Sequence, residues 1–292
     1  MTPSPCRLTQ KSSLKNLTLV VKHITSINEP ELEAYRTLKR PLLHQQQGFF
    51  VAEGEKVVRR LIESSLHITS LLLTEEWCRQ YHDALQKRPE LVVAYVAEKK
   101  LLEEIVGFQL HKGVMAVAVI PKSESIEIIL SRSTRPFCLV AVDGIMNAEN
   151  LGVIVRNCAS FGVDALLVGE TSCDPYLRRV VRNSMGTIFS LPVVRLQNIV
   201  EDLGQLRNSF NIRLIAADPN ARNADLAHTD LSRDCCVVFG SEGDGISAKV
   251  REICDAASAI PMNRGVDSIN VSSASAVFLY ELMRQRNGGS TS

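Results

Sequence analysis

Three short stretches carry the side chains best suited to chemistry. The first reads Asp143-Gly-Ile-Met-Asn147-Ala-Glu-Asn150-Leu-Gly152-Val-Ile-Val-Arg156. Asn150 stands where a helix should begin, and its side chain can cap free N–H groups there. Arg156 falls among apolar neighbours, Leu151 to Val155 on one side and Cys158 to Phe161 on the other. A guanidinium buried there without a partner would be costly. It is therefore either a structural ion pair or rim cation with a buried stem, or a cation aimed into a cleft at a phosphate or a reacting oxygen. The residues alone leave both open.

The second stretch is Phe239-Gly240-Ser-Glu242-Gly243-Asp244-Gly245-Ile246. Its glycines let a ligand approach the backbone closely, although a plain helix-entry turn would use them too. It matches neither the dinucleotide fingerprint nor the Walker A loop. Glu242 and Asp244 would repel a phosphate, so a cationic ligand, a sulfonium for example, suits the turn better. The third stretch runs Ile260-Pro-Met262-Asn-Arg264-Gly-Val-Asp-Ser268-Ile269-Asn270-Val-Ser272. Ser268 and Asn270 offer neutral donors and acceptors at a helix start, which capping would also explain.

All three stretches fall where strands should end. Apolar or β-branched runs predict strands at 137–142, 163–168, 189–195, 212–217, 235–240 and 259–262. Helical patterns separate them at 151–161, 175–185, 199–208 and 247–254, with a final helix from about 271 to 286. This alternation predicts a parallel sheet covered on both faces, with ligands bound outside the carboxyl ends of the strands. Upstream, a helix over 30–43, a strand over 48–54, an amphipathic helix over 57–64 and strands at 68–74, 91–96 and 114–120 form a smaller α/β domain. The organisation expected is a disordered tail over 1–23, the small domain over 24–120, a Ser-, Pro- and charge-rich linker over 121–135, the larger domain over 136–287, and a short tail over 288–292.

Composition narrows the classes. At 292 residues, 45% hydrophobic and 22% charged, the chain is ordinary for a globular protein, and no apolar run reaches the length of a membrane span. Its 8 cysteines form no C-x-x-C pair, and its 6 histidines are scattered, so no metal is expected. Reduced, buried thiols in a cytoplasmic setting are the default. The first 28 residues lack acids, which also allows an organellar transit segment, but they contain little arginine. Residues 1–135 carry 19 basic and 15 acidic groups, hence +4, and residues 136–292 carry 14 and 17, hence −3. The basic bias toward the N-terminal part is too small to establish polyanion binding by itself.

Taken in order and spacing, the three stretches resemble the motifs of the SpoU (TrmH-type) branch of the SPOUT RNA methyltransferases. Asn150, Gly152 and Arg156 are similar to the first motif, Gly240, Glu242 and Gly243 to the second, and Ile260 to Ser272 to the third. Asp174-Pro-Tyr and Val181 to Gly186 also look like family segments. Ile24-Thr-Ser, Phe50 to Gly54 and His111-Lys-Gly113-Val resemble the family's ribosomal-protein-like RNA-binding domain. The departures are Ala148 in place of a usual proline, Ile269 in place of leucine, and Ser273 and Ser275 in place of apolar residues.

The resemblance implies an α/β fold with a trefoil knot in the C-terminal sheet, a homodimer, and transfer of a methyl group from S-adenosylmethionine to a ribose 2′-hydroxyl, in ribosomal RNA before transfer RNA. It assigns Arg156 to the hydroxyl, Glu242 and Asn270 to orienting it and the ribose, and Ser268 and Asn150 to the loop. Phe239, Gly240, Ile260, Met262 and Ile269 should contact the cofactor. Lys39, Arg40, Lys56, Arg59, Arg60, Arg178, Arg179 and Arg182 are candidate phosphate contacts. The alternatives are a non-catalytic RNA-binding protein on the same fold, and a dinucleotide enzyme, which lacks its glycine fingerprint here.

Overall fold

The computed structural model describes residues 18–221 and 224–288, which form two sheets. The N-terminal sheet contains β1 (Leu19–His23), β2 (Phe49–Glu53), β3 (Ile68–Leu73), β4 (Val92–Val96) and β5 (Val114–Val119), in the spatial order β1-β4-β3-β5-β2. β1, β4 and β3 are parallel, while β5 runs antiparallel to both β3 and β2. Unbroken apolar runs such as Leu71–Leu73 arise because helices cover both faces. Val58 and Leu61 of α3 (Glu55–Glu63) and Leu85 of α4 (Glu75–Gln86) pack on one face. Tyr35 of α1 (Glu33–Arg36) and Leu102 and Ile105 of α5 (Lys99–Val106) pack on the other.

Several boundaries differ from those expected. β1 lies inside the segment read as a tail; Leu19 to His23 pair in parallel with Val92 to Val96, so the fold begins before residue 24. Residues 1–17 and 289–292, the rest of the expected tails, lie outside the described residues. The single helix expected over 30–43 is a 3-10 turn at Pro30–Leu32, then α1, then α2 (Pro41–Gln46). Pro41 explains the break, because it has no N–H to donate and disfavours helical backbone at Arg40. The expected linker contains α6 (Ile126–Arg132), capped by Ser125, whose Oγ accepts the Ile128 N–H. Ile129 and Leu130 are buried beneath the C-terminal sheet, so this segment is part of the larger domain's core.

The C-terminal sheet is parallel throughout. In chain order it comprises β6 (Cys138–Asp143), α7 (Ala148–Ser160), β7 (Ala165–Val168), α8 (Arg178–Asn183), β8 (Val193–Arg195), α9 (Ile199–Phe210), β9 (Arg213–Ala217), β10 (Cys235–Gly240), α10 (Ala248–Ile253), β11 (Ala256–Ser258) and α11 (Val271–Gly288). The spatial order is β11-β9-β10-β6-β7-β8. Strand residues alternate between two cores. Val140, Val142, Val237 and Phe239 face α7, α8 and α11, and Leu139, Ala141, Cys236 and Val238 face α6, α9 and α10. On α7, Leu151, Ile154, Val155 and Cys158 are fully buried, each aliphatic side chain contributing about 1.5–3 kcal/mol of burial.

Two strands are shorter or displaced relative to expectation. Only 193–195 of the stretch 189–195 is strand; Thr187–Phe189 is a 3-10 turn, and Pro192 cannot donate to a ladder. β11 ends at Ser258, not Met262. Beyond it the Ala259 N–H turns to the Ala224 carbonyl, and Pro261 has no donor with which to extend the ladder.

The two domains are in contact. Phe50 packs against Tyr176 and Phe189, at centroid distances of 5.3 and 5.7 Å. Glu53 pairs with Arg178 and Arg182, and Arg60 donates to the Met185 carbonyl. Among the described residues no helix is long and apolar enough to cross a membrane.

Candidate active site

Because every C-terminal strand points the same way, all the strand-end loops meet along one edge of the sheet. The winding reverses between β6 and β10: β7 and β8 lie to one side, β9 and β11 to the other. The loops diverge at such a reversal and leave a crevice. Here they are tied at its floor, where the buried Asp143 carboxylate accepts the Ser247 N–H at 2.8 Å.

Asn147, not Asn150, caps α7; its Oδ1 accepts the Glu149 N–H at 2.8 Å. Asn150 lies in the first turn and is buried, which frees it for a contact far along the chain. The Asn270 Nδ2 group donates to Asn150 Oδ1 at 3.2 Å and to Glu242 Oε1 at 3.1 Å. Asn270 Oδ1 in turn accepts the Ser272 N–H at 2.8 Å, fixing the amide at the entry to α11. One side chain thus joins the three stretches. The Nδ2 donor of Asn150 is buried with no partner among the described residues, an arrangement that costs about 1–3 kcal/mol unless a ligand supplies an acceptor.

Arg156 does not join this cluster within the protomer. It lies six residues beyond Asn150, about 9 Å along α7 and about 120° around it. Its side chain is exposed and makes no hydrogen bond or ion pair among the described residues. The unpartnered burial considered from sequence does not occur. The next residue, Asn157, donates to the Ser272 carbonyl at 2.8 Å and to Ser275 Oγ at 2.9 Å, so Arg156 stands beside the α7–α11 seam. This contact gives a use to Ser275, which replaces an apolar residue in the motif and is fully buried.

A pocket of about 430 Å³ lies between the glycine turn and the start of α11. All five residues expected to meet a cofactor line it: Phe239, Gly240, Ile260, Met262 and Ile269, with Ser268 at its wall. Phe239 and Phe278, edge to face at 5.6 Å, form an apolar floor. Gly240 is forced by contact, since a Cβ there would come within 2.0 Å of the Gly245 carbonyl carbon. The turn closes through reciprocal Ser241–Gly245 backbone bonds of 2.9 and 3.1 Å. Carboxylates of Asp218, Glu242, Asp244 and Asp267 line the pocket against one guanidinium, Arg251, which is already paired with Asp218 at 2.8 Å. That excess of negative charge fits S-adenosylmethionine, whose sulfonium is cationic, and the apolar floor fits a nucleoside base.

Asp218 and Asn220 were not among the expected site residues, although the strand-end rule should have included the loop after β9. Of the expected phosphate contacts, Lys39, Arg40, Lys56 and Arg59 are exposed on the small domain, and Arg179 is exposed with Glu149 4.0 Å away. Arg60, Arg178 and Arg182 instead hold the domains together. The Glu53 carboxylate, only 12% exposed, draws the last two because a nearly buried charge needs a partner. Among the described residues no group of side chains could hold a metal ion.

Fold and site define an α/β protein with an acid-lined, nucleoside-sized pocket at the carboxyl edge of a parallel sheet. Residues 138–280 match the model of the SpoU rRNA Methylase family. A protein of Mycobacterium bovis described as an uncharacterised tRNA/rRNA methyltransferase is 32% identical over 92% of this chain and 93% of its own length. The 23S rRNA (guanosine-2'-O-)-methyltransferase RlmB of Pasteurella multocida is 30% identical over 67% of this chain and 80% of its own. The crystal structure of the SpoU methyltransferase AviRb from Streptomyces viridochromogenes, in complex with AdoMet, superposes with a TM-score of 0.77 at 25% identity, over 89% of this chain and all of that one. The chain belongs to the SpoU family and is an RNA methyltransferase.

Proposed function

We propose that this chain methylates a ribose 2′-hydroxyl of structured RNA, ribosomal RNA in preference to transfer RNA, with S-adenosylmethionine held in the pocket between the glycine turn and α11. The observation carrying this reading is the Asn150–Asn270–Glu242 cluster, which places three distant stretches at the mouth of an acid-lined pocket. The similarity to AviRb, crystallised with AdoMet, and to RlmB, a 2′-O-methyltransferase of 23S rRNA, supports both cofactor and atom. When bound, S-adenosylmethionine supplies a methyl group on cationic sulfur.

The chain's own part is alignment and charge. Gly240 lets the backbone close on the ligand, Asn270 holds Asn150 and Glu242 in register, and Ser268 supports the wall. The Arg156 guanidinium offers five donors and no acceptor, so its part is to bind and not to take the proton. It would clamp the phosphate beside the target ribose and stabilise oxyanion charge developing on the 2′-oxygen. The hydroxyl proton would leave to that phosphate or to water. Since Arg156 faces away from its own pocket, this role calls for a second copy of the chain. Val277 (39% exposed) and Tyr280 (54% exposed) on the free face of α11 offer apolar surface for that contact. The knot belongs to the same reading: β11 lies outside β9, and α11 returns to pack on α7 and β10. A cytoplasmic setting goes with the seven described cysteines, all free thiols.

The test is single-turnover transfer of a tritiated methyl group to RNA by wild type, Arg156→Lys and Arg156→Ala, with cofactor affinity measured separately. The alanine variant should lose about 100- to 1000-fold in rate and keep its cofactor affinity. Wild-type chemistry in Arg156→Ala would overturn its assignment, and no transfer by wild type would favour the non-catalytic alternative.

A further inference from the structure

A second cavity, about 800 Å³, opens on the other side of the glycine turn, in the crevice between β6 and β10. It shares Ser241, Glu242, Asp244 and Gly245 with the cofactor pocket, so the turn is a wall common to both. The opposite wall comes from the loops after β7 and β8, through Glu170, Thr171, Gln197 and Asn198. None of these four belongs to the three motif stretches.

Their side chains are held in place with polar atoms to spare. One oxygen of Glu170 accepts the Ile199 N–H at 2.9 Å, and the other accepts no hydrogen bond among the described residues. Asn198 Oδ1 accepts the Val200 and Glu201 N–H groups at 3.2 and 3.4 Å, leaving its amide donors. The Gln197 side chain makes no hydrogen bond among the described residues, although its backbone N–H is anchored on Asp202 at 2.9 Å. Gly169 sets the depth of this wall: a Cβ there would lie 2.9 Å from the Val142 carbonyl oxygen, so only glycine lets the end of β7 press onto β6. Asn150, whose buried Nδ2 has no partner among the described residues, lines the same cavity.

We propose that this cavity receives the nucleobase of the target nucleotide and that Glu170 and Gln197 select guanine. The proposal rests on the methyltransferase reading and deepens it. Carboxylates of Asp143, Glu170, Glu242 and Asp244 line the cavity against one ammonium, Lys249. That balance keeps phosphates outside and suits a neutral ring rich in donors. Proteins read single-stranded RNA by hydrogen bonds to the Watson–Crick edges of splayed bases. Guanine presents two adjacent donors on that edge, N1–H and the exocyclic amine, which a carboxylate can accept together. Adenine and cytosine each place an acceptor next to a donor, and uracil flanks its one donor with two acceptors. Guanine also leaves O6 for the Gln197 amide.

The experiment uses the full chain, tritiated S-adenosylmethionine and total RNA from cells lacking the gene, followed by digestion to nucleosides and chromatography. Label is expected in 2′-O-methylguanosine. Glu170→Gln, which keeps an acceptor for the Ile199 N–H, and Gln197→Ala should each lower kcat/KM for RNA by roughly 10- to 100-fold, mainly through KM. Affinity for S-adenosylhomocysteine should stay within about twofold, because neither residue lines its pocket. A purely structural role would not raise the share of label on other nucleosides, whereas loss of a selecting carboxylate should. Label confined to another 2′-O-methylnucleoside, or wild-type kinetics and selectivity in both variants, would overturn the guanine assignment while leaving the methyltransferase reading intact. No ribose label from wild type would sink that reading, and this proposal with it.

Discussion

Substituting alanine for Gly240 tests whether the glycine turn is shaped for its ligand. A Cβ at this position would meet the Gly245 carbonyl carbon at 2.0 Å, the Ile246 nitrogen at 2.1 Å and the Gly245 oxygen at 2.2 Å. All three are backbone atoms, so no rotamer relieves the clash, and the turn must move by about 1.4 Å to reach ordinary contact. Overpacking of this kind costs about 1–3 kcal/mol. The two Ser241–Gly245 bonds contribute about 1 kcal/mol each, and the movement breaks them. A loss of roughly 3–5 kcal/mol follows, or a fall of roughly 6–20 °C in Tm. Displacing the pocket wall by about 1 Å should also weaken cofactor binding about 100-fold. At a concentration 100 times the wild-type Kd, S-adenosylhomocysteine would stabilise wild type by about 2.7 kcal/mol and the variant by about 0.4 kcal/mol. Differential scanning fluorimetry with and without the ligand reads both effects. A Gly240→Ala protein with the wild-type Tm and the full ligand-induced shift would refute the reasoning.

Other positions are equally accessible. Gly152→Ala would push a Cβ to 2.6 Å from Asn183 Cβ and 2.8 Å from the Val180 carbonyl; urea unfolding should show a loss of about 1–3 kcal/mol from the α7–α8 seam. Glu53→Ala strips Arg178 and Arg182 of a shared, nearly buried partner, and should cost about 1–3 kcal/mol in the same assay, with Arg182→Ala milder because its side chain is more exposed. His44 is held below its ordinary value of 6.5, first by burial and then by the nearby Arg178 charge. The unfolded chain therefore takes up the proton first, and stability should fall as pH drops below about 6.5; His44→Gln should flatten that part of a urea-midpoint profile taken between pH 5 and 8. Burial raises all seven described thiols, Cys138 to about 12 and Cys173 and Cys254 to about 11. Native protein at pH 8 should thus react rapidly with a disulfide reagent at no more than one of its 8 cysteines, and more than one fast thiol would contradict the packing.

The strands of both sheets were legible because a strand buried on two faces must be apolar along its whole length, as Val114–Ala118 and Cys235–Phe239 are. Proline punctuation was legible too, and Pro41, Pro192 and Pro261 mark the three places where expected elements broke or stopped short. β1 and α6 were harder to find: Leu19 to His23 and Ile126 to Arg132 are short, mixed in polarity, and take their structure from β4 and from the C-terminal sheet.

At the site, the residue types and the order of the three stretches were written in the chain, and with them the family resemblance. Which asparagine caps α7 and which is spared for a distant partner depends on backbone angles that Asn147 and Asn150 share no local signal for. Sequence could propose that Asn150, Glu242 and Asn270 meet, but only the order β10-β6 and the return of α11 bring them within hydrogen-bonding distance. The outward face of Arg156, the claim of Glu53 on Arg178 and Arg182, and the wall built by Glu170 and Gln197 were likewise decided in three dimensions. Local patterns record what each segment needs from its surroundings; which segment supplies it is set by packing between residues distant in the chain, as Asn150 and Asn270 are at 120 positions apart.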